Sequence, residues 1–208
     1  MILKIMFCLI FGYLFGCFST GFFVGRLNKV DIRKYGSGNV GTTNALRTMG
    51  AKAGAITLAG DCIKSIAAIL IVKLVFFRGD AALNLLSIYT GLGVVIGHNY
   101  PFWLKFKGGK GMAATGGAMA TIDPLIIPVG LPVFVLSILI TKYVSVGSLA
   151  ISILFPIWVA FRFPGNIHML LVAVVFTVLA FIRHQANIKR LLNGTENKIG
   201  QRVKIDKQ

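Results

Sequence analysis

The sequence GHNYPFWLKFKGGKGMAATGG, from Gly97 to Gly117, places a loop rich in glycine and lysine within an otherwise apolar part of the chain. Gly108, Gly109 and Gly111 have no Cβ, so their backbone amides can turn toward a ligand. Successive amides in such a turn form a concave anion site, and Lys110 adds a positive charge to it. The spacing therefore favours a phosphate site for a small ligand over a basic loop that only touches lipid headgroups. No GxxxxGK[ST] pattern is present, so this is not a Walker loop.

The composition around this loop indicates an integral membrane protein. Of the 208 residues, 56% are hydrophobic and only 13% are charged, whereas an ordinary soluble domain is about 45–50% apolar and about 25% charged. The net charge of +16 lies in loops and in the tail, and no nucleic-acid motif accompanies it, so we expect no nucleic-acid partner. Cys8, Cys17 and Cys62 stand in apolar runs without metal or disulfide spacing.

Seven apolar segments are candidates for membrane spans, since a helix needs roughly 20 apolar residues to cross the hydrocarbon core. They cover residues 2–25, 53–77, 81–97, 111–122, 124–141, 143–161 and 167–183. The fourth is short, and Asp123-Pro124 separates it from the fifth. Without it the count would be six, and both termini would lie on one side. We predict an all-α integral membrane protein, a seven-helix bundle that forms one domain over residues 1–208.

The distribution of basic residues sets the orientation of these spans. With seven spans, 17 of the 22 lysines and arginines fall on one side, and this side is cytoplasmic by the positive-inside rule. These residues are Arg26, Lys29, Arg33, Lys34, Arg47, Lys52, Lys105, Lys107, Lys110, Lys142, Arg183, Lys189, Arg190, Lys198, Arg202, Lys204 and Lys207. The other side carries only Lys4, Arg78 and Arg162. We therefore predict an N-terminus outside the cell and a cytoplasmic C-terminus.

A second polar segment, YGSGNVGTTNALRTMG, runs from Tyr35 to Gly50. It contains GxGxxG with Asp61 20 residues further on, but a dinucleotide fingerprint needs a βαβ unit, and here the flanking segments are membrane spans. We interpret it as a glycine-rich turn into a short helix capped by Thr42, Thr43 or Asn44. Ser37 and Arg47 can bind phosphate in this interpretation. The alternative is a loop held together by its own side chains.

Polar residues within the spans need partners because ionisable groups in a membrane are costly. Asp61 and Lys64 share a helix face at a spacing of three residues. A structural ion pair is the leading interpretation, and Lys64 reaching the ligand site from behind is the second. His98 is interpreted as an interfacial histidine. The spacing Gly12-xxx-Gly16 lets helices approach closely, and we expect it to serve packing within the bundle, with dimerisation as the alternative.

A third polar segment, RHQANIKRLLNGTE, follows the last span from Arg183 to Glu196. His184 and Asn187 lie on one helix face at the cytoplasmic end; the first can exchange a proton near neutral pH and the second can both donate and accept hydrogen bonds. All three polar segments thus lie on one side of the bundle and suit a phosphorylated substrate. The scattered acidic residues offer no metal site, which disfavours metal-dependent transferases.

Three motifs together carry a family resemblance: GSGNVGTTNALR at 36–47, GHNYPFWLKFKGGKG at 97–111 and RHQANIKRLLNGTE at 183–196. In order and content they resemble the motifs of the bacterial acyl-phosphate:glycerol-3-phosphate acyltransferases, the PlsY family. The resemblance implies transfer of a fatty acyl group from acyl phosphate to the 1-hydroxyl of glycerol 3-phosphate, an early step of phospholipid biosynthesis. It also implies a multi-pass protein of the cytoplasmic membrane whose active site faces the cytoplasm.

The same resemblance assigns roles to residues of this chain. Catalytic roles fall on His184, Asn187 and Ser37, and structural roles on Glu196 and Asp61. Substrate-binding roles fall on Ser37, Asn44, Arg47, Lys64, Lys107, Gly108, Gly109, Lys110 and Gly111. No metal or cofactor is expected. The expected partners are acyl phosphate from the lipid phase, glycerol 3-phosphate from the cytoplasm, and membrane lipids. Functional coupling to the enzyme that makes acyl phosphate is compatible with this, and the oligomeric state stays open.

Acyl phosphate is already activated, so the enzyme need only position the hydroxyl, stabilise the oxyanion and accept a proton; positioning alone can supply about 7–11 kcal/mol. No Ser–His–Asp set or Cys–His pair is evident, and we expect direct attack without an acyl-enzyme. A transporter of a phosphorylated metabolite is the competing class. Transporters commonly show internal repeats and a site at the bilayer midplane, and this sequence shows neither.

Overall fold

The computed structural model describes residues 1–203, and every regular element in that range is helical. Lys204 and Lys207, which belong to the predicted cytoplasmic tail, lie outside the described residues. Short 3₁₀ turns and one π-helical turn, Val72–Phe76, join or extend the α-helices. The α-helices are α1 Ile2–Cys17, α2 Thr20–Leu27, α3 Thr42–Met49, α4 Ala51–Ile71, α5 Leu83–Asn99, α6 Met112–Ile122, α7 Ile127–Thr141, α8 Val144–Arg162, α9 Ile167–Arg183 and α10 Gln185–Leu192.

Four helical stretches are long and apolar enough to cross a membrane: Ile2–Leu27, Ala51–Phe76, Pro124–Thr141 and Val144–Arg162. A fifth is added if α9 and α10, which meet at a bend of 59°, count as one span. The prediction of an all-α membrane protein is therefore confirmed. The remaining predicted spans correspond to α5, with 17 residues, and α6, with 11, and the seven-span arrangement stays a prediction.

The first predicted span, 2–25, is two helices rather than one, because Phe18 is extended and ends α1. The break frees backbone carbonyls that find partners inside the protein. Nζ of Lys64 donates to the carbonyl oxygens of Gly16 at 3.1 Å and Phe18 at 2.7 Å, and Nε1 of Trp103 donates to that of Cys17 at 2.8 Å. Irregular backbone at membrane depth is tolerated where protein groups satisfy it in this way.

Glycines bring α1 and α5 into close contact. Gly12 and Gly16 on α1 face α5, and Gly93 and Gly97 on α5 face α1; a Cβ added to any of the four would collide with a backbone carbonyl of the other helix. The prediction that the GxxxG spacing of the first span serves packing within the bundle is confirmed.

Helix α5 lies at the centre of the bundle, packed against α1, α4, α6 and α9. Its apolar residues join those of α4, α6, α8 and α9 in the main core, where Phe155 and Phe176 meet edge to face at 5.2 Å. Many large apolar side chains remain exposed, among them Leu3, Ile140 and Phe161. Such a surface suits contact with lipid rather than water. At one end of the bundle, the loops before α3 and α6, the α7–α8 turn and the tail come together.

Candidate active site

An open cavity lies where these polar segments meet, with about 90 Å³ of free space. Pockets that hold drug-sized ligands are roughly 300–1,000 Å³, so this cavity fits a compact polar molecule. Its walls come from all three polar segments and also from the start of α8. The lining residues are Ser37, Asn39, Gly41, Thr42, Thr43, Asn44, Arg47, Asp61, His98, Lys110, Gly111, Met112, Ala113, Val144, Ser145, Ser148, His184, Asn187 and Glu196.

Four helices begin at this cavity: α3, α6, α8 and α10 all contribute residues of their first turns to its walls. The first amides of a helix have no intrahelical acceptor, and the helix dipole places partial positive charge there. None of these four helices is capped by a hydrogen bond from its N-cap side chain. Helix N-termini are ready-made anion sites, and the convergence of four of them favours a phosphate-bearing ligand.

The glycine loop supports this site differently from our expectation. The amides of Gly108 and Gly109 donate to the carbonyl oxygens of Asn99 at 3.1 Å and His98 at 3.0 Å, and neither glycine lines the cavity. The prediction that these two amides form the anion nest is therefore wrong, because the backbone already uses them. Gly111 does line the cavity. Its φ of +77° belongs to the left-handed region that glycine favours, and it is the N-cap of α6.

A row of hydrogen-bonded polar side chains crosses the cavity. It begins at Lys110, whose Nζ donates to Oδ1 of Asn187. Nδ2 of Asn187 donates to Oε1 of Glu196 at 2.7 Å, and Nε of Arg190 donates to Oε2 of the same carboxylate at 2.7 Å. Oγ of Ser145 lies 3.3 Å from Oε1 and completes the set. Glu196 thereby orients Asn187, which in turn fixes the position of the Lys110 ammonium.

Cationic side chains surround Lys110 at the cavity. The pKa of Lys110 is lowered to about 8, chiefly by burial; Glu196 opposes this shift, and the neighbouring cations Arg190, Arg47 and Arg183 contribute to it. Burial also lowers the pKa of Arg47, but a guanidinium stays protonated throughout the physiological range. The charged form of a lysine surrounded by cations in this way is strongly stabilised when an anion enters the cavity.

His184 ends α9 and is 2% exposed. Its Nδ1 lies 2.7 Å from the carbonyl oxygen of Ala180, and a carbonyl only accepts, so Nδ1 carries a proton. In the neutral ring Nε2 is then an acceptor. His184 and Asn187 are brought together in the cavity wall, as the spacing in the sequence predicts.

The loop before α3 is held by Asn44, which is 2% exposed. Its Nδ2 donates to the carbonyl oxygens of Ile32, Tyr35 and Asn39, and its Oδ1 accepts from the amide of Ser37 at 3.0 Å. These contacts use the amide of Asn44 within the loop, so it shapes the wall instead of offering a free group to a substrate. Gly41, not Thr42, Thr43 or Asn44, is the N-cap of α3, which corrects our prediction of the cap.

Two predicted substrate-binding lysines do not line the cavity. Lys107 is exposed on the loop surface. Lys64 is buried and donates hydrogen bonds to carbonyl oxygens at the C-terminal end of α1, and its predicted ion pair with Asp61 is present at 3.1 Å. The structure therefore supports no substrate contact from either. His98 is 4% exposed and lines the cavity, so its interpretation as an interfacial histidine is wrong.

Sequence reasoning missed the contribution of α8, whose first turns supply Ser145 and Ser148 to the cavity. It also missed Arg183, whose guanidinium donates to the carbonyl oxygens of Gly109 at 2.9 Å and Gly108 at 3.0 Å and so fixes the glycine loop. The signal for α8 was present in the sequence, since small polar residues open that helix immediately after Lys142, which the charge distribution predicts to be cytoplasmic.

Comparisons with known proteins find relatives along nearly the whole chain. A family model described as glycerol-3-phosphate acyltransferase matches residues 6–194. A glycerol-3-phosphate acyltransferase of Thermoanaerobacter pseudethanolicus is 41% identical over 197 residues, which are 94% of this chain and 96% of the relative. One from Clostridioides difficile is 46% identical over 201 residues, with 91% and 93% covered.

Two solved structures have a similar fold. One is PlsY, an integral membrane glycerol 3-phosphate acyltransferase, in its glycerol 3-phosphate form; its TM-score is 0.84 at 35% identity, with 94% of this chain and 96% of that chain covered. The lysophosphatidic acid form of the same protein has a TM-score of 0.82, with 94% and 95% covered. On the family match and these identities, the chain belongs to the glycerol-3-phosphate acyltransferase family.

Proposed function

We propose that this chain transfers a fatty acyl group from acyl phosphate to the 1-hydroxyl of glycerol 3-phosphate, releasing lysophosphatidic acid and inorganic phosphate. The observation that carries the proposal is the cavity at which four helix N-termini, Lys110 and Arg47 converge. Both substrates present a phosphate, and this cavity offers several cationic and amide groups to bind one. The names of the relatives and the ligand forms of the solved PlsY support the acceptor substrate.

Direct transfer is the mechanism that fits the side chains. Among the described residues, no serine or cysteine side chain hydrogen-bonds to a histidine, so no serine or cysteine is activated in this way to form an acyl-enzyme. In the direct route the hydroxyl oxygen attacks the acyl carbonyl carbon, and the bond from that carbon to the phosphate oxygen breaks. The hydroxyl proton passes to an oxygen of the departing phosphate, with Nε2 of His184 as the alternative acceptor.

Some residues of the cavity bind the substrate phosphate, and others position the reacting groups. We propose that Arg47, Ser37, Lys110 and the first amides of α6 bind phosphate, and that His184 and Asn187 orient the reacting groups. Glu196 acts through Asn187 as a positioning residue. Charge-assisted hydrogen bonds of this kind also stabilise the oxyanion that forms as the hydroxyl attacks.

We further propose that the protein crosses the cytoplasmic membrane seven times, with its N-terminus outside and the cavity open to the cytoplasm. The charge distribution of the loops supports this orientation. Glycerol 3-phosphate then enters from the cytoplasm, whereas acyl phosphate enters from the lipid phase with its chain between lipids and its headgroup at the cavity.

The test is acyl transfer by purified protein in detergent, in which no transport is measurable. We expect activity with acyl phosphate, no significant activity with acyl-CoA, no loss of activity with a chelator, and sequential kinetics because both substrates must be bound together. Lys110→Ala should lower kcat/KM, whereas the matched control Lys107→Ala, an exposed lysine outside the cavity, should not. Ping-pong kinetics with a trapped acyl-enzyme would exclude direct transfer, and efficient use of acyl-CoA would exclude the donor.

A further inference from the structure

The cavity has a second polar region that the phosphate-binding groups do not account for. Asp61 and His98 line it, although they belong to the buried helices α4 and α5. Asp61 lies ten residues after Ala51, the first residue of α4. Ten residues correspond to about 15 Å along a helix. Lys110 and the first amides of α6, in contrast, lie at the start of a helix. We call Asp61 and His98 the cavity floor.

The carboxylate of Asp61 is only half satisfied by the protein. Its Oδ1 accepts from Oγ1 of Thr20 at 3.1 Å and pairs with Nζ of Lys64 at 3.1 Å. Within residues 1–203, no group donates a hydrogen bond to Oδ2. The side chain is 1% exposed and lines the cavity, and a carboxylate oxygen withdrawn from water without a donor is costly. The cavity is the space from which a donor can reach it.

His98 binds the same lysine. Its Nδ1 lies 2.8 Å from Nζ of Lys64, and an ammonium only donates, so Nδ1 is the acceptor and the proton of the neutral ring is on Nε2. Nε2 faces Gly109, because a Cβ on that glycine would collide with it, and Gly109 does not line the cavity. The cavity floor therefore offers a substrate one acceptor, Oδ2 of Asp61, beside the ring of His98.

We propose that the cavity floor recognises a hydroxyl group of the phosphorylated polyol substrate. A hydroxyl can donate a hydrogen bond, so it satisfies Oδ2 of Asp61 while the phosphate is held at the helix N-termini. Lys64 serves this recognition from behind by compensating the charge of Asp61 and fixing the tautomer of His98. The inference rests on the proposed function and makes Asp61 a specificity-determining residue for the acceptor substrate, with Lys64 and His98 as positioning residues.

The experiment separates recognition of the hydroxyl groups from recognition of the phosphate. Wild-type protein and the variant Asp61→Asn are assayed for KM of glycerol 3-phosphate and for competitive inhibition by propyl phosphate, a monoester without hydroxyl groups. Asp61→Asn should raise this KM by about 10- to 100-fold, the effect of losing a hydrogen bond to a charged group. It should change the inhibition constant of propyl phosphate by less than twofold relative to wild type. Lys110→Ala, in contrast, should raise both the KM of glycerol 3-phosphate and the inhibition constant of propyl phosphate.

Asp123→Asn is the matched control. Asp123 is also a buried aspartate, but it pairs with Arg162 and Trp158 away from the cavity, and its variant should change neither constant. An unchanged KM in folded Asp61→Asn protein, or an equal rise in both constants, would overturn the inference. If Asp61→Asn does not fold, the comparison of the two ligands on wild-type protein decides.

The wild-type protein provides a measurement that depends on no variant. Calorimetric titration should show weaker binding of propyl phosphate than of glycerol 3-phosphate, and equal affinities would contradict a hydroxyl-binding floor. Absence of acyl transfer by wild-type protein would instead contradict the proposed function, so the two failures are distinguishable.

Discussion

Lys110 is buried among cations, and this makes the charge of the cavity sensitive to pH. Because the pKa of Lys110 is lowered to about 8, its ammonium is present below that pH and is lost as the pH rises through it. We expect kcat/KM for glycerol 3-phosphate, which reports groups of the free enzyme, to fall above about pH 8. Lys110→Arg stays charged at high pH and should lose this decline, while Lys107→Arg should keep it. A decline that persists unchanged in Lys110→Arg would assign it to another group.

Gly109 has no room for a side chain, and the atoms that exclude one belong to His98. A Cβ at this position would collide with Nε2 of the ring, with Cδ2 and Cε1 within 3.0 Å. We therefore expect Gly109→Ala to displace the ring and to destabilise the protein by about 1–3 kcal/mol, as overpacking does, with loss of activity. The unfolding temperature in detergent measures this loss of stability. Gly116→Ala is the control, because nothing lies within 4 Å of that Cβ, and it should not lower the unfolding temperature. Equal unfolding temperatures for the two variants would show that the ring is free to move.

Among the elements, the break between α1 and α2 depends on one lysine. Nζ of Lys64 binds the carbonyls of Gly16 and Phe18 and pairs with Asp61. Removing one partner of a buried ion pair costs about 3–5 kcal/mol, so Lys64→Met should strongly lower the unfolding temperature. Trp103→Phe removes a single hydrogen bond at the same break, worth about 0.5–1.5 kcal/mol, and should lower it less. A larger loss of unfolding temperature in Trp103→Phe than in Lys64→Met would mean that the hydrogen bond of Trp103 stabilises the break more than the contacts of Lys64 do.

The sequence was sufficient to predict the helical segments and the three polar loops, because hydropathy and glycine-rich composition are local properties. It was not sufficient to predict the break at Phe18, since the partner that makes the break tolerable, Lys64, is 46 residues away. The hydrogen bonds of the Gly108 and Gly109 amides could not be predicted from the sequence for the same reason. Their amides could be assigned only once Asn99 and His98 were known to fold back over the loop.

At the scale of the whole molecule, both ends of the pair α6–α7 meet at one cavity. The start of α6 lines it, and so does Val144, which follows the end of α7. The tail closes on the same end: the amide of Ile199 donates to the carbonyl oxygen of Lys142 at 2.8 Å, and that of Val203 to the carbonyl oxygen of Arg47 at 3.1 Å. The turn between α6 and α7 lies elsewhere, where Asp123 pairs with Arg162. The pair therefore runs away from the cavity and returns to it.

This return path predicts the membrane topology despite the shortness of α6. Eleven residues of helix span about 16 Å, roughly half of a 30 Å hydrocarbon core, yet Lys107 before α6 and Lys142 after α7 must lie on the same side if both helices reach one cavity. We expect Lys107→Cys and Lys142→Cys, each in a background without the three native cysteines, to be protected from an impermeant thiol reagent in intact cells. Gly79→Cys and Gly165→Cys should be labelled. Retained acyl transfer by each variant controls for folding. Labelling of position 142 but not of position 107 from outside would mean that α6 and α7 cross the membrane once between them, and would overturn the seven-span arrangement.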